Sequence, residues 1–185
     1  MIKLNVGSGY KRILDYLNLD DDPSCNPDIL INLDDKNLRL PFDDNTVDSV
    51  ICHHFFEHVR EFIPLLQELY RVSKPGTLWD VRVPHYNHEI SIIDCTHVRQ
   101  ILPETFRLFS KKHNKLEIER NGSSSTLGLK YNIDLEIVNY DYVYDPYYND
   151  IVPKMTQEMT ERLFREALNT TMESHTILMV IKDDQ

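Results

Sequence analysis

Short apolar runs separated by polar turns recur through the first half of the chain. Their length and composition predict strands, which cover Ile2 to Val6, Tyr16 to Leu19, Ile29 to Leu33 and Val47 to Cys52. The segment from Glu57 to Ser73 differs, because its apolar residues recur at helical spacing. Lys74, Pro75 and Gly76 follow it and predict the end of that helix.

The second half of the chain mixes both periods. It predicts helices over Pro103 to Lys112 and Pro153 to Leu168, and strands over Leu78 to Val83, Leu116 to Arg120, Leu135 to Tyr144 and Thr176 to Lys182. The polar stretch from His85 to Gln100 has no clear period, so we interpret it as an irregular loop. Strands that alternate with helices indicate an α/β fold in one domain over residues 1–185. We expect a mostly parallel sheet with helices on both faces and room for antiparallel pairing at its end.

Charge and composition exclude several classes of function. The formal net charge is -10, and no basic run is longer than Lys111-Lys112, so nucleic acid is not expected as a partner. No apolar run approaches the roughly 20 residues that span a bilayer, and a strand that begins at Ile2 leaves no room for a signal peptide. The three cysteines have no patterned spacing, which fits free thiols in a reducing, cytoplasmic setting.

A glycine turn lies near the start of the chain, where the first predicted strand ends. Gly7 and Gly9 are one residue apart there, and the second predicted strand ends at Asp20. Glycine lets the backbone approach a ligand where a Cβ would collide. A carboxylate at the tip of the neighbouring strand can accept hydrogen bonds from both hydroxyls of a ribose. The pattern therefore predicts a nucleoside pocket.

Several segments, in order, resemble the class I S-adenosylmethionine-dependent methyltransferases. The segments are Leu4-Asn5-Val6-Gly7-Ser8-Gly9, Leu17-Asn18-Leu19-Asp20, Asn32-Leu33-Asp34, Leu40 to Val50 with Phe56-Glu57-His58-Val59, and Glu68 to Gly76. The resemblance covers about the first 110 residues well and the rest by strand order only. It implies a Rossmann-like sheet of seven strands whose last strand is antiparallel, with S-adenosylmethionine across the carboxyl ends of the first two strands.

The resemblance also implies which residues bind the cofactor. Gly7 and Gly9, with Asn5 and Ser8 in the same motif, would hold its methionine end. Asp20 would bind the ribose hydroxyls, and Asp34 the adenine amine. Two residues just past the fourth strand would line the pocket near the transferable methyl group, His54 and Phe55.

Two further segments are similar to small methyltransferases associated with glycan and sugar modification. They are Arg82-Val83-Pro84-His85-Tyr86 and Asp94-Cys95-Thr96-His97-Val98-Arg99. This narrower resemblance implies methylation of a hydroxyl on a sugar or glycan acceptor. The alternatives are a methyltransferase that acts on another small molecule or on a protein, and a binding or scaffold module without turnover. An oligomer, or an acceptor site completed by a partner subunit, is compatible with the sequence.

A sugar hydroxyl is a poor nucleophile until its proton leaves, so transfer to oxygen benefits from a general base or a metal ion. We predict that His97 is the base, that Asp94 orients it and that His85 contacts the acceptor. The alternative is that these side chains hydrogen-bond the loop to itself.

Metal binding is not our prediction, although two groups of residues suggest it. The run His53-His54 with His58 resembles a zinc site in its histidine content, but it has no accompanying cysteine ligand. The second group is His85 with His88, Glu89 and Asp94, which could help to hold a divalent ion. Glu57 could cap the helix that follows it or close the cofactor pocket.

Overall fold

A computed structural model describes residues 1–182. It contains seven strands: β1 (Ile2–Val6), β2 (Leu17–Asp20), β3 (Ile29–Leu30), β4 (Val47–His53), β5 (Ser73–Pro84), β6 (Leu135–Tyr144) and β7 (Thr171–Val180). Its helices are α1 (Phe62–Val72), α2 (Ile90–Ile93), α3 (Pro103–Arg107), α4 (Lys111–Glu119), α5 (Leu127–Tyr131) and α6 (Gln157–Glu166). Three single 3-10 turns complete the elements, at Pro23–Cys25, Pro146–Tyr148 and Val152–Lys154.

The seven strands form one sheet in the order β3-β2-β1-β4-β5-β7-β6. Strands β1 to β5 pair in parallel, and β7 runs antiparallel between β5 and β6. This arrangement confirms the predicted Rossmann-like fold with its antiparallel last strand. The order reverses direction at β1, where the chain goes to β2 on one side and to β4 on the other. Ligands of open α/β sheets bind at such a switch point, outside the carboxyl ends of the strands.

One face of the sheet forms the hydrophobic core. Alternate residues of the central strands point into it and are fully buried, among them Val50 on β4 and Trp79 on β5. Helix α1 packs its apolar stripe into the same core with Leu65, Leu66 and Leu69. Burying one side chain of this size contributes about 1.5–3 kcal/mol, so these contacts fix α1 and the strand ends that carry the site.

The opposite face of the sheet is covered by less helix than the sequence predicts. The connections on that side, residues 7–16 and 21–28, contain only the turn at Pro23–Cys25 and no α-helix. Both are shorter than the dozen or so residues that a helical crossover needs. Strands β4, β5 and β7 also carry partly exposed residues. Among these, His53 and His175 both hydrogen-bond Asp80 Oδ1, at 2.8 and 2.9 Å.

Two elements of the second half differ from their predictions. The helix predicted over Pro103 to Lys112 ends at Arg107, and a new helix begins at Lys111, capped by the Ser110 side chain, which accepts from His113 N–H. That helix contains most of the segment predicted as a strand from Leu116 to Arg120, so this strand is wrong. The loop from His85 to Gln100 is irregular as predicted, apart from the single turn α2. No helix among residues 1–182 is both long and apolar enough to cross a membrane.

Candidate functional site

The glycine turn after β1 is closed by hydrogen bonds to the end of β2. Gly7 and Gly9 have φ angles of +64° and +48°, in the left-handed region that favours glycine. Ser8 N–H donates to the Leu19 carbonyl at 3.0 Å, and Gly9 N–H donates to Asp20 Oδ2 at 2.7 Å. The predicted glycine and carboxylate residues are therefore held together at the switch point of the sheet.

Asp20 has capacity for a ligand beyond these contacts. Its Oδ1 accepts from Asp22 N–H at 3.0 Å, and its Oδ2 accepts from Gly9. Each carboxylate oxygen can accept a second hydrogen bond, and Asp20 is half-buried rather than enclosed. Two neighbouring hydroxyl groups would find one free acceptor position on each oxygen.

Ser8 and Asn5, the two polar residues of the predicted motif, have different surroundings. Ser8 is buried, and its Oγ has no hydrogen-bond partner among the described residues, which marks it as a polar atom suited to a ligand. Asn5 instead uses its amide to donate to the Lys11 carbonyl at 3.0 Å and to Asn18 Oδ1 at 2.9 Å. Its side chain thus stabilises the loop, which differs from the predicted cofactor contact.

Phe55 lies against the glycine turn. A Cβ added to Gly7 would come within 2.6 Å of the Phe55 Cβ and closer still to its ring carbons. Gly9, by contrast, has open space where its Cβ would be. The requirement for glycine at position 7 therefore comes from a protein side chain as well as from the backbone angle.

Asp34 follows the third strand and faces the start of α1. Its Oδ1 accepts from Glu61 N–H at 2.6 Å, and its own N–H donates to Asn32 Oδ1 at 2.9 Å. Glu61 is the residue that precedes α1. One carboxylate oxygen of Asp34 thus anchors the helix start, and the other is left to accept from an amine.

His54, just past β4, is held between two carboxylates. Its φ of +55° is rare for a non-glycine residue, and its Nε2 lies 3.1 Å from Glu173 Oε1 on β7. Its Nδ1 lies 3.7 Å from Glu57 Oε1. The hydrogen bond to Glu173 and the nearby Glu57 outweigh burial and raise the pKa of His54 to about 9. His54 is therefore an imidazolium at neutral pH and has no lone pair to act as a base.

His97 is oriented by a backbone carbonyl rather than by Asp94 as predicted. Its Nδ1 lies 3.0 Å from the Ser91 carbonyl. Asp94 instead accepts from the hydroxyl and the N–H of Thr96, at 2.6 and 2.8 Å, and these bonds lower the Asp94 pKa. An aspartate side chain readily accepts a hydrogen bond from the backbone N–H two residues on. Asp94 therefore bonds Thr96 and not His97.

His85 is buried and has an aromatic neighbourhood. Its Nδ1 lies 2.9 Å from Asn87 Oδ1, and the rings of Tyr86 and Tyr142 lie 4.5 and 5.4 Å from its own, centroid to centroid. Burial lowers the pKa of His85. A neutral imidazole between tyrosine rings suits contact with a polar, uncharged group.

The structure separates both metal groups suggested by the sequence. His53 bonds Asp80 on the exposed sheet face, while His54 bonds Glu173. In the second group, His88 Nε2 pairs with Asp145 at 3.2 Å. The structure brings together another set, Glu57, His58 and His97, whose potential ligand atoms all lie within 4.8 Å of one another.

Glu57, His58 and His97 line a cavity of about 300 Å³. It lies beside the ends of β4 and β5, and its lining is His54, Glu57, His58, Pro84, Ile90, Ile93, Asp94 and His97. Sequence reasoning missed Glu173, which meets His54 although 119 positions separate them. No local pattern signals such a contact, because it depends on β7 returning to lie beside β5.

Comparison with known proteins gives one family match and several similar structures. Residues 23–79 match the family model described as a methyltransferase domain. The matched segment includes Asp34, His54, Glu57 and α1. A comparison with curated protein sequences finds no match.

The solved structures share the fold at low sequence identity. An S-adenosylmethionine-dependent methyltransferase from Archaeoglobus fulgidus is 17% identical, with a TM-score of 0.59 over 96% of this chain and 85% of that one. Phosphoethanolamine N-methyltransferase 2 of Haemonchus contortus, in complex with S-adenosyl-L-methionine, is 13% identical, with a TM-score of 0.50 over 98% of this chain and 49% of that one. The [4+2]-cyclase SpnF is also 13% identical, with a TM-score of 0.53 over 98% and 75%.

Proposed function

We propose that this chain is an S-adenosylmethionine-dependent methyltransferase. The observation that carries the proposal is the turn at Gly7, Ser8 and Gly9, closed onto Asp20 at the switch point of the sheet. The methyltransferase match over residues 23–79 supports it from a separate part of the chain. A cofactor-binding turn and a matched segment that meet at the same sheet edge favour one shared site.

The residues present fit such a cofactor at three points. The two oxygens of Asp20 would accept from the ribose hydroxyls, and the free oxygen of Asp34 from the adenine amine. The unpartnered hydroxyl of Ser8 would bond the methionine end. When bound, S-adenosylmethionine supplies a methyl group already activated by its sulfonium. The protein then contributes mainly by positioning the acceptor and excluding water.

We propose further that the acceptor is a hydroxyl on a sugar or glycan. The lining of the cavity next to Glu57 combines polar groups with Pro84, Ile90 and Ile93, and such a mixed lining suits the polar edge and apolar face of a sugar. A hydroxyl acceptor must lose its proton. The cluster of Glu57, His58 and His97 faces the cavity and is suited to that task, whereas protonated His54 is not.

Calorimetric titration with S-adenosylmethionine and S-adenosylhomocysteine tests whether the chain binds the proposed cofactor. We expect micromolar binding to the wild type and a loss of at least tenfold in Asp20→Asn, because an amide offers one acceptor oxygen where the carboxylate offers two. Asp21→Asn is the matched control, since Asp21 is an exposed neighbour of the same charge. Absence of binding to the wild type, or equal losses in both variants, would reject the proposed pocket.

An assay of labelled methyl transfer to nucleotide sugars and glycans tests whether the acceptor is a sugar hydroxyl. His97→Ala should abolish transfer and leave cofactor affinity intact. If the cofactor binds but no acceptor is methylated, a binding module becomes the better assignment. The [4+2]-cyclase SpnF, which shares the fold, is an example of the same architecture with another activity. Methylation of proteins or other small molecules instead of sugars would retain the enzyme class and reject the acceptor.

A further inference from the structure

Glu57 is a buried carboxylate without a hydrogen-bond donor. Its residue is only 3% exposed, and neither carboxylate oxygen has a hydrogen-bond partner among the described residues. The nearest side-chain nitrogens are His54 Nδ1 at 3.7 Å and His97 Nε2 at 4.0 Å from Oε1. A buried charge costs several kcal/mol unless it is paired or binds an ion. The His54 imidazolium at 3.7 Å compensates part of this charge without a hydrogen bond. Both oxygens of Glu57 therefore remain available to a further ligand.

His97 directs its Nε2 toward this carboxylate. Its Nδ1 must carry the ring proton, because the Ser91 carbonyl that it contacts at 3.0 Å can only accept. In the neutral ring, Nε2 is then left with a lone pair, 4.0 Å from Glu57 Oε1. A metal ion between these two atoms would bind both the Nε2 lone pair and the carboxylate oxygen.

His58, like His97, is oriented by a hydrogen bond from its Nδ1, in this case to the hydroxyl of Thr96. Thr96 donates its hydroxyl proton to Asp94 Oδ1 at 2.6 Å, so the Thr96 oxygen accepts from His58 Nδ1 at 2.8 Å. The Nε2 of His58 therefore also has a lone pair. A histidine ligand of a metal ion usually donates its other ring N–H to a carbonyl, a carboxylate or a water in this way. The hydroxyl of Thr96, backed by the Asp94 carboxylate, serves here as the acceptor.

The three groups are close enough to share one ion. Their potential ligand atoms all lie within 4.8 Å of one another. Tetrahedral zinc with bonds of about 2.1 Å sets its ligand atoms about 3.4 Å apart, so side-chain rotations would bring these atoms into range. The rings of His58 and His97 lie edge to face, 4.7 Å between centroids.

We propose that Glu57, His58 and His97 form a binding site for a divalent transition-metal ion of the zinc type. Two imidazoles and one carboxylate are a ligand set that zinc enzymes use when a fourth position is left for water or substrate. The cavity of about 300 Å³ beside these residues provides space for that fourth ligand.

The role of the ion in catalysis rests on the methyltransferase function proposed above. An acceptor hydroxyl bound to the ion has a lowered pKa and releases its proton to solvent. The resulting oxygen forms a bond to the methyl carbon, and the electron pair of the broken carbon–sulfur bond returns to sulfur. His97 is then a ligand of the ion and not itself the base.

Titration of the chelator-treated protein with Co²⁺ and Zn²⁺ tests the site without cofactor or acceptor. We expect one Co²⁺ per chain, visible by its d–d absorption, and displacement by Zn²⁺. Glu57→Gln and His97→Ala should abolish binding, and Thr96→Val should weaken it by about tenfold to a hundredfold because only the orienting bond is lost. No binding to the wild type would overturn the proposal whatever the cofactor titrations show.

His175→Ala is the matched control. His175 lies in a separate cluster of histidines and carboxylates, with His53, Asp80 and Asp141, but there Asp80 already accepts hydrogen bonds from both rings. This variant should bind Co²⁺ like the wild type. Loss of binding in His175→Ala with retention in His97→Ala would assign the ion to the other cluster and overturn the proposal.

Thermal unfolding tests whether the carboxylate of Glu57 binds a metal ion or has only a structural role. Zn²⁺ should raise the Tm of the wild type, because an ion that binds only the folded state stabilises it, and should leave the Tm of Glu57→Gln unchanged. Without metal, Glu57→Gln should be somewhat less stable than the wild type, since it removes one of the two carboxylates that flank the His54 imidazolium. Absence of any effect of Zn²⁺ on the Tm of the wild type would overturn the proposal and leave Glu57 as a partner of protonated His54 alone.

Discussion

Replacement of Gly7 by alanine tests how the glycine turn is built. An alanine at φ +64° adopts the left-handed region, which costs about 1–2 kcal/mol. The added methyl group also overlaps the ring of Phe55, and overpacking of this kind costs about 1–3 kcal/mol. We therefore expect Gly7→Ala to lower the free energy of unfolding by about 2–5 kcal/mol in total.

Gly9→Ala is the matched control, because Gly9 also has a positive φ but open space at its Cβ. It should lose only the backbone cost of about 1–2 kcal/mol. Urea unfolding can be followed through Trp79, the single tryptophan, which is fully buried and should change its emission on unfolding.

A double-mutant cycle with Phe55→Ala isolates the side-chain contact. In that background the methyl group of Gly7→Ala no longer meets a ring but still meets the Cβ at position 55, so its cost should fall toward that of Gly9→Ala without reaching it. Equal losses for Gly7→Ala and Gly9→Ala in the wild-type background, or additive losses of Gly7→Ala and Phe55→Ala, would refute the packing of Phe55 on the turn.

Two further predictions concern stability away from the turn. Arg71→Met should cost about 3 kcal/mol, because Arg71 pairs with the largely buried Glu68 at 2.5 Å and its removal leaves that carboxylate only the exposed Arg39 at 3.6 Å. Urea unfolding measures the loss, and a change below about 1 kcal/mol contradicts it. Asp28 has its pKa lowered to about 2 by the backbone N–H of Asn18 and by Arg12. Its stabilising effect is therefore complete above the unfolded pKa of about 4 and should be lost as the pH falls toward 2, so Asp28→Asn should flatten the pH dependence of unfolding in that range.

The sequence predicted the sheet well because its strands carry local signals. The bounds of β1 and β6 agree with the predicted Ile2 to Val6 and Leu135 to Tyr144, where β-branched and aromatic residues cluster. The start of β5 at Ser73 was missed, since Pro75 and Gly76 are turn signals by themselves. Helix α4 was missed because Leu116 and Ile118 alternate like strand residues, whereas the Ser110 cap that starts the helix lies outside that window.

The candidate site divides in the same way between local and distant contacts. The link between Gly9 and Asp20 follows from motif spacing, and so it was predicted. The bond from His97 to the Ser91 carbonyl was not, because nothing in the sequence fixes the path of an irregular loop. The sequence indicates only two roles for Glu57, a helix cap or a pocket residue. Its lack of a hydrogen-bond donor depends on the three-dimensional positions of the surrounding side chains, which no sequence pattern indicates.

The short connection after β1 has a consequence for how a cofactor would bind. In dinucleotide-binding folds the glycine turn leads into a helix whose N-terminus attracts negative charge. Residues 7–16 contain no helix here, so an amino-acid carboxylate would meet the turn without the N-terminus of a helix behind it. Less of the binding energy can then come from the methionine end, and more must come from the ribose hydroxyls on Asp20. For this reason we treat Asp20, rather than either glycine, as the residue whose substitution best reports cofactor binding.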